Sequence, residues 1–408
     1  MALSLPANPD LEHLRREARR LQRAVRSGQP RAIGHVTLHH PEGAPADAAA
    51  FALSDAQLVV ARGLGFASWP RLRAYLDAAG ALSRDPEDLD PAPVGDDATE
   101  PEIASAVVAL ACLTYTDRDE PARWARAAGL LAVHPSLVHR DVFVAAVAGD
   151  ADALRSQLVA DPGAATREGG PFRWPPLLCL VYSRVPQRDP VESARVLLDA
   201  GADPDSGYLW QGLPTAFTAL TGVFGEGEQG PGRQPRHPQW RSLAELLLER
   251  GADPNDRQAL YNRMFNRDDS HLELLLRHGL GRPASEVWAR RAGEPAETIE
   301  EMITRQVDWA RSHGFVDRLE LLVSHHLADA SVASDVPPVH APEGRSALHD
   351  AAFMNDVEQV RRLLDAGADP EARDAVHGTR PYEWAVWARA DDAAAVLREV
   401  TSDPIREG

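Results

Sequence analysis

The stretch LLDAGADP at residues 197–204 recurs as LLERGADP at 247–254 and as LLDAGADP at 363–370. Each copy closes an apolar run with helical periodicity. The glycine can adopt the left-handed conformation that ends a helix, and the Asp-Pro pair after it cannot continue one. The recurrence therefore predicts one supersecondary unit that is used several times, as in repeat proteins.

Three weaker copies extend the series. In the copy at 319–327, His326 occupies the position that Gly279 occupies in the copy at 272–280. We expect His326 to take the left-handed conformation, which His tolerates better than most residues. Asp161 occupies the same position in the earliest copy, so the same ending is expected there. The weaker copies are LRSQLVADPG at 154–163, LELLLRHGL at 272–280 and LELLVSHHL at 319–327. Units are expected to end near residues 161, 201, 251, 279, 326, 367 and 400, with irregular spacing that indicates long, variable loops.

One unit carries a family resemblance almost throughout. The stretch GRSALHDAAFMNDVEQVRRLLDAGADP at 344–370 resembles an ankyrin repeat. Asn355 replaces the usual glycine between the two helices and can substitute for it in the left-handed conformation. His349 is expected to form hydrogen bonds with the neighbouring turn and to have no catalytic role. The positions that carry the resemblance are Gly344, Ser346, Ala347, Leu348, His349, Ala351, Ala352, Val360, Leu363, Leu364, Gly367, Ala368 and Asp369.

A second resemblance lies near the start of the chain. SDAQLVVARGLGFASWPRL at 54–72 is similar to a short helical element that often precedes ankyrin repeats in bacterial proteins. Together the two resemblances imply a bacterial ankyrin repeat protein that binds other proteins. They do not identify the partner.

The predicted fold is all-α, an ankyrin-repeat solenoid of helix-turn-helix units with long inter-repeat loops, preceded by an N-terminal helical module. We expect the module at 1–80, an acidic Pro-rich linker at 81–102 and the repeat array, with a degenerate N-terminal cap, at 103–402. The linker prediction follows from SRDPEDLDPAPVGDDATEPE at 83–102, which contains eight carboxylates and one Arg. Asp10 and Ser68 are the expected N-caps of two module helices.

Charge and composition exclude several functions. All 43 basic residues are Arg, so chemistry that requires a Lys, such as Schiff-base formation, is excluded. The net charge is -18; residues 1–80 hold 10 Arg against 7 Asp plus Glu, which leaves -21 for the remainder. Such an acidic array disfavours nucleic acid and favours a protein partner with a basic or neutral surface. Two distant cysteines and the lack of a secretory signal or membrane span indicate a cytoplasmic protein.

Motifs that resemble catalytic or metal sites have simpler explanations. GEGEQG at 225–230 matches a dinucleotide fingerprint in letters, but it follows a predicted helix and carries two glutamates. The pairs His39-His40 and His325-His326 lack supporting ligands at helical spacing. We therefore expect no enzyme activity, no cofactor and no metal site.

The candidate binding residues are aromatic residues in the predicted loops, together with Arg173, which lies between two of them. Aromatic side chains often anchor protein partners, but each of these could instead pack over the adjacent repeat. Packing is favoured for Trp174 and Trp240, whereas the two alternatives are nearly balanced for the 205–212 loop. The candidates are Phe172, Arg173, Trp174, Tyr208 and Trp210.

The sequence thus predicts a non-catalytic scaffold or adaptor that binds a protein through its concave face and its inter-repeat loops. One alternative is a small-molecule-binding or enzymatic role for the insertions at 225–240 and 281–298. Another is that the Arg-rich helix at 9–27 binds nucleic acid or anionic lipid, although a solvated helix face explains that helix more simply. Partner, pathway and oligomeric state are not specified by the sequence.

Overall fold

The computed structural model describes residues 10–86, 91, 94–95, 97–282, 287–292, 297–334 and 345–402. The chain divides into two compact units. The first comprises residues 1–85, 208–216 and 285–298, and the second comprises 86–207, 217–284 and 299–408. The segments 208–216 and 285–298, which the sequence analysis assigned to the repeat array, thus belong to the N-terminal unit.

Helices dominate the described residues of both units. In chain order they are α1 (Leu11–Arg26), α2 (Pro30–His39), α3 (Leu53–Gly63), α4 (Trp69–Leu82), α5 (Glu100–Ala111), α6 (Pro121–Val133), α7 (Val142–Ala148), α8 (Ala151–Ala160), α9 (Pro176–Tyr182), α10 (Pro190–Asp199), α11 (Ala219–Phe224), α12 (Gly230–Arg233), α13 (Trp240–Glu249), α14 (Arg257–Arg263), α15 (Ser270–Arg277), α16 (Val287–Ala292), α17 (Ile299–His313), α18 (Val316–Ser324), α19 (Ser331–Ser334), α20 (Ala347–Phe353), α21 (Val357–Asp365), α22 (Pro381–Trp387) and α23 (Asp391–Arg398). Short strands are also present, at β1 (Ser83–Arg84), β2 (Gly207–Trp210) and β3 (Ala216–Thr218).

The N-terminal unit packs α1 to α4 around one apolar core. Asp10 caps α1 by accepting a hydrogen bond from the backbone N–H of Glu12 at 2.9 Å, and Ser68 caps α4, as the sequence predicts. Strand β1 pairs in parallel with β2, which places Ser83 opposite Leu209. The core continues into the later segments, because Leu209 and Ala292 are buried in it.

The predicted linker at 81–102 lies partly outside the described residues, since 87–90, 92–93 and 96 are not described. Its first residues complete α4 and form β1. Helix α5 begins at Glu100, where the Thr99 backbone N–H donates to Glu102 Oε2 at 2.8 Å in a capping box.

The described residues of the second unit form seven helix pairs after α5 and α6. The first helices α7, α9, α11, α14 and α17 contact one another in succession, and α20 contacts α22. Neither helix of a pair could bury its apolar face alone, so stacking supplies the core. The pairs are α7–α8, α9–α10, α11–α13, α14–α15, α17–α18, α20–α21 and α22–α23.

The recurring glycine closes its helix in each full copy of the motif. Gly201, Gly251 and Gly367 have φ values of 94°, 101° and 85°. In the last copy the Ala368 N–H donates to the Leu363 carbonyl at 2.9 Å, the closing bond of a Schellman motif. His326 has φ 60°, which confirms its expected conformation.

Asp161 does not follow this pattern. Its φ is -144°, so α8 ends on an extended residue and not on a left-handed one. The physical reason is Pro162, whose ring restricts the preceding residue to extended conformations. The expectation of a common ending was therefore wrong at this position.

His349 has the structural role expected of it. Its Nδ1 accepts a hydrogen bond from the Ser346 N–H at 3.1 Å, and its Nε2 lies 3.0 Å from the Thr379 carbonyl oxygen. The carbonyl can only accept, so the ring proton is on Nε2. The side chain thereby links the start of α20 to the turn before α22.

A buried ion network holds the turn between α14 and α15. The Arg318 side chain is fully buried; its Nε donates to Asp269 Oδ1 at 2.6 Å and its Nη1 to the Met264 carbonyl at 2.7 Å. Arg263 is also fully buried and forms an ion pair with Glu226. These bonds fix residues 264–269, the turn that carries Phe265 into the groove described below.

No helix in the described part of the chain combines the length and the apolar character that crossing a membrane requires.

Candidate binding groove

A groove of about 820 Å³ lies within the second unit and is lined by the first helices of its last four pairs. We call it the aromatic groove. Tyr261 reaches it from α14, Trp309 and His313 from α17, Phe353 from α20 and Trp384 from α22.

One wall is a chain of rings in edge-to-face and stacked contacts. The Tyr261 and Phe265 centroids are 5.4 Å apart, and those of Phe265 and Trp309 are 4.9 Å apart, both with nearly perpendicular planes. Trp309 then stacks on His313 at 3.8 Å. Because such contacts fix ring orientation as well as position, this wall is held in one arrangement.

The opposite wall is built from α20 and α22. Phe353 contacts Trp384 edge to face at 5.8 Å and stacks on Trp387 at 6.0 Å. Trp384 is further held by Asp374, whose Oδ2 accepts its indole N–H at 3.1 Å. Trp387 is 48% exposed, so this wall extends to the protein surface.

The Asp350 carboxylate of α20 also lines the groove. The Asp350 side chain is 29% exposed, and Arg345 Nε lies 3.6 Å from its Oδ1, which is too long for a hydrogen bond. Burial raises the pKa of Asp350, while the positive charge of Arg345 acts in the opposite direction. The guanidinium of Arg345 also lies 5.1 Å from the centre of the Trp384 ring.

His313 lines the groove and has one ring nitrogen without a hydrogen-bond partner among the described residues. Its residue is 4% exposed, and burial lowers its pKa, so the ring is neutral. Nδ1 lies 2.9 Å from the Trp309 carbonyl oxygen and therefore carries the proton. Nε2 is left as a buried acceptor without a hydrogen-bond partner among the described residues. The indole N–H of Trp309 is a buried donor that also lacks a hydrogen-bond partner among the described residues.

Two of the predicted binding residues are core residues. Phe172 and Trp174 are each 1% exposed, and their rings stack at 4.3 Å. Trp174 also contacts Tyr182 of α9 at 4.9 Å. Arg173 between them is exposed, with φ 53°. This placement favours packing over anchoring for the two rings, and their part in binding stays a prediction.

The other two predicted binding residues lie in the N-terminal unit. Tyr208 is 1% exposed and Trp210 is partly buried, both on β2. The adjoining turn is fixed by Tyr75, whose hydroxyl donates to the Gly212 carbonyl at 2.5 Å. None of the five predicted binding residues lines the aromatic groove.

The insertion at 225–240 contributes to the groove, although not as a nucleotide loop. Its GEGEQG motif follows α11, and Glu226 is buried against Arg263. Glu228 lines the groove, and its Oε1 accepts a hydrogen bond from the Tyr261 hydroxyl at 2.5 Å. Burial, followed by this bond, raises the pKa of Tyr261. The insertion at 281–298 lies partly outside the described residues, at 283–286 and 293–296.

Within the ranges that the structure describes, no group of three or more His, Cys, Asp or Glu side chains is placed to hold a metal ion.

The rings of the groove are not among the predicted binding residues, because those candidates are residues of the predicted inter-repeat loops. A usable signal was present on the helices. Aromatic or His residues occur three or four positions apart in three of the four helix pairs that line the groove. In a helix, such spacing places the side chains on one face. The residues are Tyr261 with Phe265, Trp309 with His313, and Trp384 with Trp387.

A comparison with known protein families finds an ankyrin repeat in the region that contains α20 and α21. The ankyrin repeat family model matches residues 343–375. The chain contains an ankyrin repeat. It is 40% identical over 73 residues to the E3 ubiquitin-protein ligase KEG of Arabidopsis thaliana, a match that covers 18% of this chain and 4% of the ligase. It is 30% identical over 161 residues to the mitochondrial disaggregase of Bos taurus, covering 37% of this chain and 20% of the disaggregase. The chain thus spans a fifth or less of either relative.

Proposed function

We propose that this chain is a non-catalytic scaffold or adaptor, that its helix pairs form an ankyrin solenoid, and that it binds a protein partner in the aromatic groove. The observation that carries the proposal is the location of the groove across the first helices of four successive pairs. Stacked repeats of this kind form extended concave surfaces that bind other proteins. The ankyrin repeat at 343–375 supports protein–protein interaction as the class of function.

The polar groups of the groove support binding over catalysis. A general base needs a nucleophile within hydrogen-bond reach. The Ser312 hydroxyl lies 2.9 Å from His313 Nδ1, but it also bonds the Trp309 carbonyl within α17 and does not line the groove. His313 thus lines the groove without a nucleophile of the groove within hydrogen-bond reach.

Site-specific photocrosslinking tests the proposed surface. A photoreactive phenylalanine analogue replaces Gln359, which lines the groove, and in a control replaces Val159, which is 85% exposed on α8. We expect one protein to be recovered repeatedly from the groove position, with its crosslinked peptide identified by mass spectrometry. Addition of unlabelled chain should reduce this product. Equal yields at both positions would contradict the proposal.

Small-molecule binding in the same groove is the second candidate function. A volume of about 820 Å³ falls within the range of about 300–1,000 Å³ that is usual for ligand pockets. Glu228 brings the 225–240 insertion into this pocket. A thermal-shift screen of metabolites tests this candidate, since a ligand that binds the native state raises the melting temperature.

We also propose a cytoplasmic location, a partner with a basic or neutral surface, and a bacterial source. Cys112 and Cys179 are buried free thiols, which suits a reducing cytoplasm. The net charge of -18 favours a partner with a basic or neutral surface over nucleic acid. The likeness of residues 54–72 to bacterial ankyrin proteins supports a bacterial source.

Some arginines of the Arg-rich helix α1 form contacts within the N-terminal unit. Arg26 Nε donates to the Phe51 carbonyl at 3.0 Å, and Arg15 forms an ion pair with Glu12. These contacts favour a solvated helix face over a nucleic-acid site. A filter-binding assay at low salt tests this directly, because electrostatic binding is strongest there.

A further inference from the structure

We infer that the aromatic groove binds an arginine side chain carried by a segment of another protein. The inference rests on the proposed function and specifies the chemistry of the partner. Three independent features support it: hydrogen-bond acceptors that lack donors, an excess of negative charge, and ring faces with no cation over them.

The unused acceptors require donors from the partner. Asp350 is approached by Arg345 only at 3.6 Å, and His313 Nε2 has no partner among the described residues. A guanidinium carries five N–H donors in a planar fork and no acceptor. A guanidinium can therefore donate hydrogen bonds to a carboxylate and to an imidazole nitrogen at the same time.

Charge also favours a cation. Four carboxylates and two arginines line the groove, at Glu228, Asp350, Asp356 and Glu383 and at Arg267 and Arg345. Asp356 and Glu383 are occupied within the chain, since each accepts a backbone hydrogen bond at the start of its helix. Asp350 and Glu228 remain to attract an incoming cation, within a chain of net charge -18.

The chain's own arginines show how these rings accept guanidinium groups. Arg345 lies 5.1 Å from the Trp384 ring centre, and Arg267 lies 4.7 Å from that of Phe315. Such distances are typical of cation–π contacts, in which Arg is commoner than Lys. Trp309 and Phe353, on opposite walls, have no such contact among the described residues, and the inferred arginine lies between them.

The unpartnered indole N–H of Trp309 indicates a polypeptide as the carrier of this arginine. A backbone carbonyl is a suitable acceptor for it, whereas a bare guanidinium offers none. The ligand therefore supplies both donors and an acceptor, as a peptide segment does.

Titration with short peptides tests the inference on the full chain. The probes are the capped pentapeptides Gly-Gly-Arg-Gly-Gly and Gly-Gly-citrulline-Gly-Gly, and the readout is the indole N–H resonance of Trp309, assigned with a Trp309→Phe variant. We expect the citrulline peptide to bind about tenfold more weakly, because citrulline keeps the planar shape and loses the charge. Free arginine should also bind more weakly than the capped peptide.

Two variants and a control locate the binding. Asp350→Asn and Phe353→Leu should each weaken the arginine peptide by about fivefold to tenfold. Glu273→Gln removes an exposed carboxylate of α15 that does not line the groove, and should leave binding unchanged. Equal binding of the arginine and citrulline peptides, or an equal loss in the Glu273→Gln control, would overturn the inference.

Failure of the inference is distinguishable from failure of the proposed function. If photocrosslinking at Gln359 captures a partner while the peptides show no preference for arginine, the function stands and the inferred chemistry is wrong. If the arginine peptide binds as expected and no partner is crosslinked, the chemistry stands and the scaffold proposal is wrong.

Discussion

At the scale of the residue, the helix endings depend on backbone conformation alone. An added Cβ at Gly367 meets nothing within 4 Å, so only its φ of 85° opposes a side chain there. His326 occupies the equivalent position at φ 60° and is exposed. The two residues therefore form a matched pair in which the left-handed conformation can be tested without a change in packing.

We predict opposite effects for the two reciprocal substitutions. Gly367→Ala should lower the free energy of unfolding by about 1 kcal/mol, and His326→Gly should raise it by a similar or smaller amount. Urea denaturation followed by circular dichroism measures both. A destabilised His326→Gly variant would show that the histidine makes contacts that outweigh its backbone strain.

A second prediction at this scale concerns acid stability. Burial, with a smaller effect from Arg184, lowers the pKa of His237 to about 3. The neutral ring donates from Nε2 to Gln187 at 2.6 Å and accepts the Gln239 N–H at 3.1 Å. In the unfolded chain this histidine is protonated below about pH 6.5, the ordinary His value. Stability is therefore lost as the pH falls from about 6.5 towards 3.

Comparison with a variant isolates this effect. His237→Gln keeps an amide donor near Gln187 but cannot be protonated. Its free energy of unfolding should fall less steeply below pH 6.5, by up to about 1.4 kcal/mol per pH unit relative to the parent chain. Denaturation curves at pH 7.5, 6.5 and 5.5 measure the two slopes. Parallel slopes would mean that His237 is protonated in the folded chain.

At the scale of the element, the turn before α22 depends on one carboxylate. Asp374 Oδ1 accepts the backbone N–H groups of Val376 and His377, at 2.9 and 2.7 Å. Its Oδ2 accepts from Thr379 and from the indole of Trp384. Burial raises the pKa of Asp374, but these donors outweigh it and hold the pKa well below its usual range. The turn thereby sets the position of a groove ring.

Asp374→Asn should disturb both the turn and the groove. An amide has one acceptor oxygen, so one set of donors loses its partner, at a cost of about 2–3 kcal/mol. We expect a lower melting temperature and a shifted indole resonance for Trp384. Asp365→Asn, at an exposed residue at the end of α21, serves as the control and should leave both unchanged.

The helix pairs could be predicted from the sequence because their signals are local. The glycine endings, the caps at Asp10 and Ser68 and the bonds of His349 each depend on a few neighbouring residues. The groove depends on rings from four helix pairs that only the stacking brings together, so the spacing of the rings within each pair does not show that they line one groove. The same reason applies to Tyr208 and Trp210, which long-range packing places in the N-terminal unit.

At the scale of the whole molecule, the 225–240 insertion connects distant parts of the second unit. Arg233 donates from Nε to the Trp387 carbonyl at 2.9 Å and from Nη1 to the Asp117 carbonyl at 3.0 Å. Gly232 lies so close to the carbonyls of Ala388 and Arg389 that a Cβ there would overlap them. The insertion thus fits against the last helix pair at a position where only glycine is accommodated.

Gly232→Val should separate the insertion from the last pair. We expect faster amide hydrogen exchange in α22 and α23, with little change in α7 and α8, and a lower melting temperature. Gly129→Val provides a control on α6, where an added Cβ meets nothing within 4 Å. Unchanged exchange in α22 and α23 would indicate that other contacts hold the last pair.

The bonds of Arg233 also bear on how the chain unfolds. In an open repeat array each unit contacts only its neighbours, so the terminal units fray independently and unfolding spreads one unit at a time. Here one side chain joins the turn at Asp117 to the last pair, which lies 270 residues further along at Trp387. Loss of the last pair therefore also removes a bond to the Arg233 side chain, which contacts the first part of the unit. This linkage couples the first part of the second unit to its last helix pair, and we expect the unit to unfold more cooperatively than an open series of helix pairs would.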